Sequence, residues 1–584
     1  MTRFKRMKNS ALVWLACTLF VSVAGAQEKA APSTALSGTL FYEILVGELS
    51  AQSGDLPTAY QYLLDAARKG GVDALYERSV EIALRARAGD SALLAAQAWA
   101  HALPASDQAH RYLLQIMVAL NKLPDTVDVN RRALASRPVA ARIVLIDQLP
   151  AFFARAADKT AAFKALEQSL GPDLGNSATA AAAYAALGTM HLLNDEPDAA
   201  LDAAQKGAAT DAKADQPARL AINLMDPKQP AAEALLRQHL ESGPQAELRM
   251  GYVRKLLEDQ RYTEAAAQVD LLTRTAPEFP DAWLVRGSIE LQDRDRQAAL
   301  SSLQKYIDLK AAARSASSAA GEDKPEGETD RGLVQAYFLL SDIAEQNQQP
   351  ALAQQYLDQI DSPADALRIE TRRAGILARQ GQLEQARALI RAVPETQADD
   401  ARNKLNAEAD LLRENKQYQA EYELLSAAVR DNPQDADMQY DLAMAAEKIG
   451  KPDEMETLLR QVIASKPDYP HAYNALGYSL ADRNIRLSEA RALITKALEF
   501  APNDPYIADS MGWVEFRSGN LQQAEKILRD AYQNKHDAEI AAHLGEVLWN
   551  LHQTAQAQTI WKEGLALSPD NETLLETMKR LNAW

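Results

Sequence analysis

The side chains able to do chemistry do not gather into a pattern in this sequence. His191, His471, His536, His543 and His552 are scattered singly through helix-like or turn-like stretches. None stands at the Glu-x-x-His or His-Glu-x-x-His spacing that sets metal ligands on one helix face. No Gly-x-Ser-x-Gly elbow and no phosphate-loop glycine run is present. His543 immediately precedes Leu544-Gly545 and reads as a surface or inter-helix histidine. Ser479 and Ser510 lie in helical stretches with no base three or four positions away. Cys17 is the single cysteine. The expectation is a protein that is not an enzyme and has no metal and no other cofactor.

Cys17 lies in a leader rather than in a fold. Arg3, Lys5, Arg6 and Lys8 make a basic start, Leu12 to Val23 is mostly apolar, and Ala24-Gly25-Ala26 is a small-x-small cleavage site. Residues 1–26 therefore read as a secretory signal peptide, and the exported chain begins at Gln27. The apolar run falls short of the about 20 residues a membrane span needs. Lipidation at Cys17 would want Leu and small residues before it at the cleavage point, and Trp14-Leu15-Ala16 stand there instead. Without the leader no cysteine remains, so neither a disulfide nor a thiolate site holds the fold together.

Across 584 residues there are 25 Gly and 25 Pro, Ala and Gln are used heavily, and β-branched runs are scarce. Alanine loses no side-chain entropy on entering a helix, so the composition favours an all-α chain. The formal net charge is −17 and becomes more negative without the leader. That balance argues against nucleic acid and against direct binding to an anionic membrane.

Three C-terminal segments repeat one another. Tyr473 to Pro505, Ala508 to Tyr532 and Ala541 to Asn571 carry the glycines Gly477, Gly512 and Gly545, spaced 35 and 33 residues apart. In the first, Tyr473, Leu476, Gly477, Ala490, Ala497 and Pro502 mark a large residue, Leu-Gly, two small residues and an exit proline. Gly477 and Ala490 let two helices approach closely, Ala497 makes room for the next unit, and Pro502 ends the second helix because it lacks an N–H. Leu476, Leu480 and Ile494 fill the space between helices. The chain here resembles the tetratricopeptide-repeat family, whose period is 34 residues. The resemblance implies an all-α superhelical solenoid of antiparallel helix pairs.

The same frame persists upstream. It is carried by Leu442, Ala446 and Pro467; by Ala409, Leu425 and Pro433; by Ala374, Gly381 and Ala386; and by Tyr337, Ser341 and Ala353. Trp283 and Gly287, Val253 and Pro277, and Tyr184 and Gly188 mark further units. Near the start, Gly47 and Ala59 flank the corner Ser53-Gly54-Asp55. Residues 139–166, with Ile143, Leu145, Ile146, Phe152, Phe153 and Phe163, read either as a degenerate helix pair of the stack or as an exposed apolar surface. Residues 311–330 lack apolar periodicity and read as a mobile insertion. The organisation expected is a signal peptide (1–26), a flexible leader (27–38), an N-terminal arc (39–310), the insertion (311–330), a C-terminal arc (331–571) and a capping helix (572–584). Trp584 reads as part of that cap or as a docking anchor.

In the family the first helix of each unit lines the concave side, which holds peptides and extended segments. Carried over position by position, the resemblance puts Asn474, Tyr478, Trp513, Phe516, Glu546 and Trp549 there. The bland reading of Tyr478 and Trp513 is packing. The wording Tyr473 to Arg483, Ala508 to Asn520 and Ala541 to Trp549 further resembles a proteobacterial family of exported adaptor lipoproteins. These partner a carboxyl-terminal processing protease and bring it to cell-wall hydrolase substrates. This chain departs from that family at Cys17. The resemblance implies a non-enzymatic periplasmic scaffold, with any membrane association indirect. An outer-membrane or exopolysaccharide assembly scaffold is the alternative.

Overall fold

The computed structural model describes residues 38–226, 230–243, 245–319 and 330–583. The signal peptide with Cys17, the leader up to residue 37, residues 320–329 of the insertion and Trp584 lie outside the described residues. The described residues form 31 α-helices and no strand. No described helix is long and apolar enough to cross a membrane. The chain divides into two compact units between Ser317 and Ser318.

The first unit is a succession of helices joined by short turns. It opens with α1 (Gly38–Ser53), α2 (Leu56–Gly70), α3 (Asp73–Arg85), α4 (Gly89–Ala102), α5 (Asp107–Ala119) and α6 (Thr126–Ala135). It continues with α7 (Val139–Phe153), α8 (Lys159–Leu174), α9 (Ala180–Leu193), α10 (Pro197–Thr210) and α11 (Asp215–Asn223). Then come α12 (Pro230–Leu240), α13 (Ala246–Glu258), α14 (Tyr262–Thr275), α15 (Pro280–Gln292) and α16 (Arg296–Ala319). Residues 139–166 do form a helix pair within the stack, burying Leu145, Ile146, Leu149 and Phe153. The same stretch leaves Val144 exposed, and Phe152 lines an apolar cavity of about 500 Å³ with Tyr112 and Ile116. Helix α16 runs on to Ala319, past residue 311 where the insertion was expected to begin. Its alanines make helix as readily as linker, and apolar periodicity cannot see a helical turn whose residues, here 311–316, are exposed.

The second unit holds α17 (Arg331–Gln346), α18 (Pro350–Leu357), α19 (Ala366–Arg379), α20 (Leu383–Ala392), α21 (Asp400–Glu414), α22 (Tyr418–Asp431), α23 (Ala436–Lys448) and α24 (Pro452–Ser465). It ends with α25 (Pro470–Asp482), α26 (Leu487–Phe500), α27 (Pro505–Arg517), α28 (Leu521–Asn534), α29 (Ala538–Asn550), α30 (Thr554–Leu567) and α31 (Glu572–Arg580). Five of these helices, α17, α23, α27, α29 and α31, open on acidic or amide caps. Asp330, Asp435, Asp504, Asp537 and Asn571 each accept from backbone N–H groups of the turn that follows. Such a cap satisfies amides that no intrahelical carbonyl reaches. Lys416, at the α21–α22 corner, also pairs with Glu572 at the start of α31.

Within a pair the two helices cross on the unit glycine. A Cβ on Gly477 would lie 2.6 Å from Ile494 Cγ1, and one on Gly512 would lie 2.5 Å from Leu528 Cγ. On Gly545 it would lie 2.1 Å from Trp561 Nε1. The turn between the two helices has its own signature, a residue in the left-handed region, joined at the α25–α26 turn by a second, Arg486. It recurs at Gly381, Lys416, Gly450, Asn484, Gly519 and His552, and in the first unit at Gly54, Arg87, Asn121, Asp195, Gln260 and Arg294. Gly519→Ala and Gly450→Ala are each expected to cost about 1 kcal/mol, since a Cβ disfavours this conformation. Denaturant midpoints of the two variants measure it, and unchanged midpoints would mean the turn relaxes.

Candidate functional site

Helices α25, α27, α29 and α31 lie side by side along the second unit, the first three being first helices of successive pairs. They surround a cavity of about 510 Å³ lined by Tyr478 and Asp482, by Trp513, Phe516 and Arg517, by His543 and Glu546, and by Thr573, Glu576, Thr577 and Arg580. Four of the six residues placed on the first-helix side thus meet at one place: Tyr478, Trp513, Phe516 and Glu546. Asn474 and Trp549 do not line it. Asn474 is half-buried, and its Oδ1 is enclosed without a hydrogen-bond partner. Trp549 turns to the second helix and packs against Trp561, ring centres 5.6 Å apart.

His543 is the centre of the cluster. It is 2% exposed, and its Nδ1 stands 2.8 Å from Asp509 Oδ2. Its Nε2 stands 3.3 Å from the Tyr478 hydroxyl. The Trp513 ring stacks on it at 4.4 Å, and Phe516 continues the aromatic surface 5.0 Å from Trp513. Burial alone pulls the imidazole pKa down, but the Asp509 carboxylate, with Glu539 and Glu546 behind it, outweighs burial and pushes it above 6.5. Burial likewise raises the Tyr478 phenol, so the hydroxyl keeps its proton. Glu546 is buried and accepts from Arg580 Nη2 at 2.5 Å, which ties α31 to α29. The indole N–H of Trp513 is enclosed, 5% exposed, and has no acceptor.

The wall is therefore aromatic on one side and mixed in charge at the rim. It offers a ring surface, an unused N–H donor, and Asp482, Glu576 and Arg517 reaching outward. That arrangement holds a chain by stacking and hydrogen bonding.

The sequence does not single out Asp509, and it gives His543 no more than a surface or inter-helix place. Asp509 occupies in its unit the position that Asn474 occupies one unit earlier, four residues before the ring at Trp513, so the frame that found Asn474 reaches it. His543 stands one place off that frame, and only the packing of neighbouring helices brings it under Tyr478. The contributions of α31 also had no signal, because a capping helix carries no repeat letters.

Two segments of the chain, residues 253–319 and 440–505, match the tetratricopeptide repeat. A TPR repeat-containing protein of Pseudomonas aeruginosa is 39% identical over 211 residues, which is 36% of this chain and 36% of that protein. The chain thus spans about a third of that relative's length. The chloroplastic PsbB mRNA maturation factor Mbb1 of Chlamydomonas reinhardtii is 39% identical over 70 residues, 12% of this chain and 10% of that protein. Among solved structures, a thermophilic TPR protein of Thermus thermophilus covers 30% of this chain and 95% of its own, at 23% identity and a TM-score of 0.28. A tetratricopeptide repeat protein of Parabacteroides merdae covers 42% and 98%, at 14% identity and a TM-score of 0.33. The fold is an all-α solenoid of tetratricopeptide helix pairs, and repeats of this kind are surfaces for holding proteins.

Proposed function

We propose that this tetratricopeptide solenoid is an exported, periplasmic scaffold that binds a carboxyl-terminal processing protease and presents cell-envelope substrates to it. The observation that carries the binding reading is the cavity along α25, α27, α29 and α31, where Tyr478, Trp513 and Phe516 offer rings and an unused N–H donor. The basic-apolar-small leader supports export. The repeat wording after Tyr473 supports the protease as partner. The mechanism is tethering: two proteins held on one solenoid meet at a raised effective concentration, and no bond is made or broken by the scaffold.

The test is capture from a periplasmic extract on the chain beginning at Gln27, read by mass spectrometry. A processing protease recovered in stoichiometric amount is the expected result. Envelope-assembly or polysaccharide-export proteins recovered without a protease would sink the adaptor reading. With the protease in hand, Phe516→Ala and Asp482→Lys are each expected to weaken binding by roughly 2 kcal/mol, the scale of a contact central to an interface. Titration calorimetry checks it, and unchanged affinity in both would move the binding face elsewhere.

A further inference from the structure

Among the described residues, the buried charged groups come in pairs. Asp173 meets Arg142 at 2.8 Å, Glu408 meets Arg387 at 2.8 Å and Glu421 meets Arg413 at 2.7 Å. Asp509 meets His543 at 2.8 Å, Glu515 meets Arg491 at 2.6 Å and Glu546 meets Arg580 at 2.5 Å. Arg249, on α13, is the exception. It is 8% exposed and is the one buried lysine or arginine among the described residues. Its guanidinium donates to two neutral acceptors only, Leu240 O at 2.8 Å and Gln268 Oε1 at 2.6 Å. A guanidinium carries five N–H donors, so three are left over. A buried charge is costly unless an opposite charge faces it. Burial accordingly pushes this guanidinium below its ordinary pKa, with no acid raising it back.

The space for the missing partner is present. Arg249 lines a cavity of about 680 Å³ between α12 and α14, floored by Leu240, Gln268 and Leu271 and edged by Thr275. The other cation on this wall, Arg237, is already held by Glu233 and Glu264. Glu241 stands at the rim, exposed to water. The cavity lies between two second helices of the first unit, whereas the proposed scaffold site is lined by first helices of the second.

We infer that this cavity is a carboxylate-binding site, in which Arg249 takes one planar monoanion through its free N–H groups. A flat carboxylate matches the fork of a single guanidinium. A dianionic phosphate would meet Glu241 at the rim with one cation to hold it. The carboxylate comes either from an Asp or Glu side chain of a bound protein or from a small free acid.

The unfolding midpoint of the full chain from Gln27 tests the site, measured against sodium acetate, the capped tripeptide Gly-Glu-Gly amide and inorganic phosphate at constant ionic strength. A saturable rise with acetate or the tripeptide is expected, absent in Arg249→Met. It is also expected to be absent in Thr275→Trp, which fills the mouth from an exposed position without touching the guanidinium. The second variant keeps the test valid if Arg249→Met fails to fold. A stronger response to the tripeptide assigns the site to a protein side chain, and a response to acetate alone assigns it to a free acid. No saturable rise, a rise that survives Thr275→Trp, or a rise with phosphate alone would overturn the inference and leave Arg249 as a cap on the last carbonyl of α12.

Discussion

Gly545→Ala is expected to destabilise the second unit by about 3 kcal/mol, the upper end of what an overpacked core costs. The added methyl would sit 2.1 Å from Trp561 Nε1 and 2.5 Å from its Cδ1 and Cε2. The indole is fully buried, and its N–H donates to Ala542 O at 3.3 Å, so the ring cannot swing aside without losing that bond. At the matching place the preceding pairs carry Leu528 and Ile494, aliphatic side chains that no hydrogen bond fixes in place. A double variant, Gly545→Ala with Trp561→Leu, is therefore expected to be more stable than the sum of its single changes predicts. Urea titration of the four proteins of the cycle reads the coupling directly. Strict additivity would show that the helix crossing is not where the cost arises.

Asp509→Ala is expected to cost about 3–5 kcal/mol, because it strips the partner from a buried imidazolium. His543 is held above its ordinary pKa only by Asp509 and the acids behind it. The sign follows from linkage. A histidine whose folded pKa is raised contributes stability that is complete below its unfolded value, about 6.5, and is lost as pH rises through the folded value. The wild-type unit is thus expected to lose stability as pH rises above that point. In Asp509→Ala burial outweighs the remaining attraction, and stability is expected to rise with pH instead. Replacing both members, Asp509→Leu with His543→Phe, is expected to restore most of the loss and flatten the pH dependence, since an apolar pair leaves no buried charge. Chemical denaturation on either side of the unfolded value, at about pH 5 and about pH 8, compares the slopes. A double variant as weak as Asp509→Ala would mean that shape, not charge, holds the cluster.

The helix pairs could be read from the chain because close crossings demand small residues at fixed places. Gly477, Gly512, Gly545 and Ala490 announce the crossing before any coordinate is known. The turn was legible only where it happened to be glycine, as at Gly54. Lys416, His552, Gln260 and Arg294 hold the same left-handed conformation with side chains that give no such warning. Each costs about 1–2 kcal/mol relative to glycine, which the packing of two helices absorbs. The candidate site was half legible for a similar reason. Tyr478, Trp513, Phe516 and Glu546 follow from the repeat frame, whereas His543 reaches the cluster through its neighbours in space. Arg249 was invisible as a site. A lone arginine on a helix looks like any other until the absence of a facing acid is seen among residues 9 and 19 positions away, Leu240 and Gln268.

The contact between Lys416 and Glu572 joins points 156 residues apart in a unit whose densest contacts join helices of the same or adjacent pairs. Both side chains are well exposed, 68% and 62%, so water screens the pair and it adds little to stability by itself. Its meaning lies in connectivity. A row of repeats behaves as a one-dimensional chain in which an end can fray while the middle stays folded. A bond from α31 back to the α21–α22 corner turns the intervening helices into a loop of interactions. Fraying of the last helix then also loosens that distant corner, and raised salt weakens the closure before it touches any hydrophobic contact.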